Sequence, residues 1–192
     1  FQAGSEIPPE QKPGINQELD KITDYVFQVL QTSNFNQEIH EAFMDLAIGT
    51  GILLVEEGDA INPIKFTSVP LTRVCLMNGP DGKIDTVYRT RTCKPTEIHL
   101  LYPKAKLPEN FDPLKQKKDI KLIEAIYKIY EDNVEKYKFC VVMENPKHIL
   151  LEEEYSGDGS NPYLVFRWNK ASGEVYGRGP VFNAMGAIKT CN

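Results

Sequence analysis

Apolar residues recur at helical spacing from Ile15 through Leu19, Ile22, Val26, Val29 and Leu30, which predicts an amphipathic helix over about 16–31. A second helix is predicted from Asn34, an N-cap residue with Gln37 three places on in a capping-box arrangement. It carries Ile39, Phe43, Leu46 and Ala47 and stops at Gly49, a C-cap type. Joined by so short a link, the two helices should lie antiparallel. Beyond Gly49 the period changes. Ile52–Glu56, Ile64–Val69, Arg73–Met77 and Ile84–Thr92 read as strands, with Asn78-Gly79-Pro80-Asp81-Gly82 turning between the last two. From Ile120, the residues Ile123, Ala125, Tyr127 and Ile129 alternate with Glu124 and Lys128, the period of a half-buried strand with its charges on the other face. Asp132-Asn133 reads as the turn of a hairpin returning over Lys138–Met143, and His148–Tyr155 as a further strand or short helix.

Two stretches lack that regularity. Residues 1–14, with Pro8, Pro9 and Pro13, read as an extended lead-in. Lys94–Asp119 is rich in Lys and Pro; Thr96 caps a short helix through Leu101, and another helical turn falls near Pro113–Lys117. The expected class is α+β: an N-terminal antiparallel helix pair, a mainly antiparallel sheet and a C-terminal helix. Residues 15–192 would form one such domain.

The closing stretch from Asn161 carries the most distinctive pattern. An apolar run, Tyr163, Leu164, Val165, Phe166 and Trp168, reads as a buried strand. A polar turn, then Gly177-Arg178-Gly179-Pro180, leads into a helical pattern with Pro180 in its first turn, where a missing N–H is harmless. Strand, glycines and helix N-terminus form a phosphate cradle in many proteins. The dinucleotide fingerprint needs a third glycine, and Phe182 stands there; no P-loop Gly-Lys-Ser/Thr follows either. The competing reading is a structural corner, with Gly177, Gly179 and Pro180 as the turn, Trp168 and Tyr176 as anchors, and Arg178 in a salt bridge. Gly49-Thr50-Gly51 lies between a helix C-terminus and a strand, and the partial negative charge of that helix end repels phosphate.

The net charge of −5 argues against a generic nucleic-acid binder, although an acidic conduit would let DNA slide without sticking. Cys75, Cys93, Cys140 and Cys191 lie far apart with no CxxC, so each is expected to be a small buried hydrophobe in a reducing compartment. His40, His99 and His148 show no metal-ligand spacing, and Glu152-Glu153-Glu154 reads as a solvated acidic patch. Lys115, Lys117 and Lys118 form a candidate anion contact. Arg73, Arg89 and Arg91 would line one sheet surface, either solvated or in contact with another subunit. No run approaches a membrane span. No nucleophile–base pair, metal cluster or cofactor motif stands out, so no enzyme activity, cofactor or metal is expected.

Three blocks of sequence resemble the head-to-tail connector (portal) proteins of podovirus-type bacteriophages and prophages. The first is Arg167-Trp168-Asn169, Gly173-Glu174, Tyr176-Gly177-Arg178-Gly179-Pro180, then Ala184, Gly186, Ile188 and Lys189. The second is Ser33-Asn34-Phe35, Ile39, Phe43, Asp45-Leu46 and Gly49 to Glu56; the third is Ser68 to Leu71 with Gly82, Asp85, Val87, Arg89 and Arg91. They span Gln31 to Asn192 in the family's order. The resemblance implies the wing region of a portal: a ring, usually dodecameric, at one capsid vertex of the virion, assembled in the host bacterial cytoplasm. Its partners would be further copies of itself, terminase, capsid, scaffold and tail proteins, and double-stranded DNA passing without sequence specificity; no membrane is implied. On this reading Trp168, Tyr176, Gly177, Arg178, Gly179, Pro180, Arg89 and Arg91 are structural or inter-subunit residues. The chain, beginning at Phe1 and stopping inside a helical pattern, would be an excised piece of a longer one. Two other classes stay open on the sequence: a nucleotide-binding enzyme domain using the Gly177–Pro180 turn, and an adaptor domain whose sheet edge binds a partner chain.

Overall fold

A computed structural model describes residues 1–131, 134–157 and 159–191. The expected Asp132-Asn133 turn lies outside the described residues. Among those described, helices α1 (Lys12–Thr32) and α2 (Phe35–Ile48) lead into strands β1 (Thr50–Glu57), β2 (Ile64–Ser68), β3 (Val74–Asn78) and β4 (Ile84–Cys93). A short helix α3 (Ile98–Leu101) follows, then β5 (Ile120–Glu131), β6 (Val134–Met143), β7 (His148–Ser156), β8 (Tyr163–Arg167) and α4 (Pro180–Cys191). The strands form two antiparallel sheets, β2-β1-β8 and β3-β4-β5-β6-β7. The class is the α+β expected, and β7 is a strand rather than a short helix.

β1 is buried over Thr50–Leu54 because both of its faces are covered. Ile52 and Leu54 join Leu76, Val87 and Ile126 across the space between the sheets. Gly51 turns the other way: a Cβ there would meet the Phe166 ring at 2.3 Å and the Ala42 carbonyl at 2.9 Å. The α2 side is that close. A second cluster lies under α3 and the segment after it, where Ile98, Tyr102 and Ala105 cover Leu122, Val141 and Met143. Each fully buried Ile or Leu contributes about 1.5–3 kcal/mol, so these two clusters account for most of the apolar driving force.

α2 is fixed to the edge strand β2 by polar side chains. Asn34 Oδ1 accepts from the Phe66 amide at 2.9 Å and its Nδ2 donates to the Phe66 carbonyl at 2.7 Å. Glu38 accepts from the Ser68 amide at 2.6 Å and Asp45 from the Leu71 amide at 2.7 Å. The capping box expected at Asn34 does not form, because its amide is committed to β2 instead. An unpaired strand edge invites foreign pairing, and here helix side chains occupy it. Asn34→Ala should lower stability by about 2 kcal/mol, as two backbone groups lose partners. Urea denaturation checks this, and a change under about 0.5 kcal/mol would refute the clamp.

α1 starts at Lys12, so the lead-in is shorter than the composition suggested. Phe1 and Ala3 fold back on it, the Phe1 amino group donating to Thr23 Oγ1 at 2.9 Å and the Ala3 amide to Asn16 Oδ1 at 2.7 Å. The helix pair is present, but α1 contributes no buried side chain, and Ile22, Tyr25 and Phe27 stay exposed.

The five-stranded sheet turns a different face inward than the alternation indicated. Leu122, Glu124 and Ile126 are buried, whereas Ile123, Ala125, Tyr127 and Ile129 are only partly covered. Both faces of β5 carry apolar residues, so hydrophobicity alone does not choose between them, and the partners of Glu124 do. Cys75 also departs from expectation: it is exposed on β3, while Cys93 and Cys140 are buried as free thiols.

Candidate functional site

Two constellations organise the molecule: a charged node between the sheets and a glycine corner where the chain leaves β8. At the node, Arg89 on β4 stands directly opposite Glu124 on β5. Glu124 Oε2 accepts from Arg89 at 3.4 Å and from the Tyr163 hydroxyl at 3.0 Å. Its Oε1 takes the Tyr102 hydroxyl and lies 3.6 Å from an Arg91 guanidinium nitrogen. Four elements, β4, β5, β8 and the end of α3, thus converge on one carboxylate.

Glu124 is 3% exposed and Arg89 9%, so the pair sits where unpaired charge is costly. Burial works against the Arg89 charge, but Glu124 and the hydroxyls of Tyr163 and Tyr102 together outweigh it and hold the guanidinium above its ordinary value. Burial, then the Glu124 carboxylate, pushes the Tyr102 and Tyr163 hydroxyls up, so both remain neutral donors. Arg89 therefore lines the interior, neither solvated nor presented on a surface of this chain; Arg91 is partly exposed beside it. Sequence reasoning missed Glu124, Tyr102 and Tyr163. The available signal was an acid opposite an arginine in adjacent strands.

At the corner, backbone meets backbone. Gly177 donates to Thr50 Oγ1 at 2.8 Å, Gly179 to the Ile48 carbonyl at 2.9 Å, and Trp168 to the Gly49 carbonyl at 2.9 Å. The Arg178 amide donates to the Asn169 carbonyl at 2.8 Å. A Cβ on Gly177 would lie 2.1 Å from the Gly49 carbonyl oxygen, and one on Gly179 2.2 Å from that of Ala47. The amides from Gly177 to Gly179 are all spent within the chain. Carbonyl oxygens from the C-terminal end of α2 occupy the space a phosphate would need, and that end repels anions. The geometry is that of a structural corner.

The remaining corner residues are placed as follows. The Tyr176 hydroxyl accepts from the Leu76 amide at 3.1 Å, tying the corner to β3. Trp168 contributes its amide, while its side chain is 54% exposed because the chain has already left β8. Arg178 pairs with Glu174, with Nε donating at 2.9 Å, and its guanidinium lies 5.2 Å from the centre of the Phe182 ring. The hydrogen bond to Glu174 raises Arg178, and the same bond lowers Glu174. Pro180 opens α4. Thr50, fully buried, was not anticipated. Arg73 does not join the Glu124 node, and Lys115 pairs with Asp112 at 3.1 Å.

These arrangements hold elements together: amides close on carbonyls, a carboxylate closes on its donors. They define a structural module, with a fixed corner from which an exposed helix departs. The sequence model of the bacteriophage head to tail connecting protein family matches residues 2–192. The chain belongs to that family. It is a structural component of the phage connector and of the virion. No curated protein matches the chain. Among the described residues no helix is long and apolar enough to cross a membrane.

Proposed function

We propose that the chain forms the wing region of a podovirus-type portal ring, dodecameric in the full-length protein and assembled in the host bacterial cytoplasm. DNA passes through such a ring during packaging and ejection, and terminase, capsid, scaffold and tail proteins attach to it. The observation carrying this reading is the apolar surface beside the corner. Met44 and Ile48 of α2 and Phe182, Met185 and Ile188 of α4 are largely uncovered within the chain. Exposed apolar side chains on two helices in contact with each other are suited to association, and the family supplies the context of an assembly. Negative-stain imaging of the full-length gene product tests it: annular particles with a central channel support the ring, and compact particles at micromolar concentration refute it.

Arg178 tests the corner's part in assembly. It is half exposed, held by Glu174 and set over Phe182, so it stiffens the start of α4 more than it stabilises the core. Arg178→Ala in the full-length protein should cut ring yield severalfold, whereas the melting temperature of the isolated chain changes little, because solvent screens an exposed ion pair. Unchanged ring yield with a lowered melting temperature would sink that assignment.

A further inference from the structure

The two sheets end in four edge strands, and the chain treats them differently. On β2, Asn34 and Glu38 occupy the outward backbone groups of Phe66 and Ser68. On β3, the Tyr176 hydroxyl takes the Leu76 amide. On β7, the Lys106 amide donates to the Leu150 carbonyl at 2.7 Å, and Glu152, Glu153 and Glu154 follow as a charged row. Covering an edge and charging it both discourage pairing with a foreign strand. β8 has neither device over most of its length. We propose that the outer edge of β8 docks an extended strand of another virion protein, one that alternates apolar with acidic residues. The site uses neither α2 nor α4, so it stands apart from the ring.

The backbone supplies the template. The Val55 amide donates to the Pro162 carbonyl and the Trp168 amide to the Gly49 carbonyl, both at 2.9 Å, so the even-numbered positions of β8 bond to β1. Backbone groups alternate sides along an antiparallel strand. The amides and carbonyls of Val165 and Arg167 therefore point away from the sheet. Asn161 Oδ1 takes the Tyr163 amide at 3.0 Å. Among the described residues nothing bonds the outward groups of Val165 and Arg167. Unpaired groups at strand spacing are what an added strand uses.

There is room beside that edge. A groove of about 410 Å³ is lined by all of β8 from Tyr163 to Arg167, and by Lys83 and Ile84. Consecutive strand residues point to opposite faces, so a groove that touches every one of them runs along the edge. Lys170 Nζ donates to the Gly82 carbonyl at 2.7 Å and holds the turn between β3 and β4 as the opposite wall. Val165 and Ile84 offer apolar contact on the inner face of an added strand, and half-exposed Leu164 on the outer.

Charge selects the occupant. Lys83 and Arg167 are the charged residues of the wall. Arg167 Nη1 donates to the Val175 carbonyl at 3.0 Å and meets no carboxylate among the described residues. Glu135, the acid that feels Lys83, is already paired with Lys128 at 3.0 Å. Two uncompensated cations favour acids in the incoming strand, and a second copy of β8 would bring further positive charge against them.

The test is amide hydrogen exchange followed by two-dimensional NMR, with the peptide acetyl-Thr-Val-Glu-Val-Glu-Val-Thr-amide as probe. In the free chain the Val165 and Arg167 amides should exchange at least about tenfold faster than those of Leu164 and Phe166. The peptide should slow them by about tenfold, with half-saturation below about 1 mM. Val165→Pro removes an outward N–H and keeps every bond to β1, as proline on an edge strand can; it should weaken binding at least about tenfold. Lys83→Glu, at an exposed residue, keeps the test decisive if the proline variant fails to fold, and should weaken binding severalfold, as should lysine in place of glutamate in the peptide. Several results would overturn the proposal. One is equal protection of all four amides in the free chain, and another is no saturable slowing with peptide. Undiminished binding by Lys83→Glu, by folded Val165→Pro or by the lysine peptide would do the same. Protection that rises with chain concentration alone would assign the edge to a second copy instead.

Discussion

Glu124→Ala is expected to destabilise the chain by about 3–5 kcal/mol, the scale for removing one partner of a buried ion pair. The substitution strips four partners at once: Arg89, Tyr102 and Tyr163 donate to that carboxylate and Arg91 pairs with it in charge. Arg91 is partly exposed and can turn to water, but Arg89 is not and cannot. The loss therefore comes mainly from the charge left behind on Arg89. A matched control separates that penalty from the worth of the pair. Removing both charges, with Arg89→Met and Glu124→Leu, should recover most of the loss, because an apolar pair of similar volume often equals or exceeds a buried ion pair. Urea denaturation midpoints check both. A single-variant loss under about 1 kcal/mol would mean that solvent reaches Arg89 and the node is not buried in solution.

The same residue explains why one part of the fold was legible and another was not. Strand positions follow from period and turn signals, and the family's corner follows from its glycines, so the order of elements is readable along the chain. The choice of inner face on β5 is not. Ile123, Ala125, Tyr127 and Ile129 look like a buried row, and Glu124 looks like its solvated complement. What reverses them is pairing in space. Val87, Arg89 and Arg91 on β4 face the same side as Glu124 and Ile126 on β5, and the tyrosines arrive from residues some distance away in sequence. A period-two argument weighs each strand alone, whereas the acid is kept inside by three other elements.

A comparable limit applies to Asn34 and to the first helix. Asn34 has the sequence signature of an N-cap, and its true partner, Phe66, is thirty-two residues on. Local capping competes with a longer-range bond, and the longer-range bond satisfies two backbone groups rather than one. The stripe of α1 is clear in the sequence, yet amphipathicity states only that a face needs covering. It does not say whether the cover comes from the same chain. The exposed Ile22, Tyr25 and Phe27 answer that question for this chain alone.

Gly177→Ala should be the most damaging small change at the corner, with an expected loss of about 3 kcal/mol or more. The new methyl group would lie 2.1 Å from the Gly49 carbonyl oxygen and 2.9 Å from the Arg167 side chain. A flexible neighbour could give way, but a carbonyl fixed by its bond to the Trp168 amide cannot move alone. Relief requires α2 and the segment after β8 to separate, which would break the Gly177–Thr50 and Gly179–Ile48 bonds together. Gly186→Ala is the informative comparison. A Cβ there meets nothing within 4 Å, and alanine in a helix is favoured over glycine by about 1 kcal/mol, so that variant should be neutral or stabilising. Thermal and urea unfolding of the two variants distinguish the sources of α4's position. Opposite signs would tie it to backbone contact at the corner. Equal and small effects would mean that the corner has room to relax, and that the helix is held by its side chains on α2 instead.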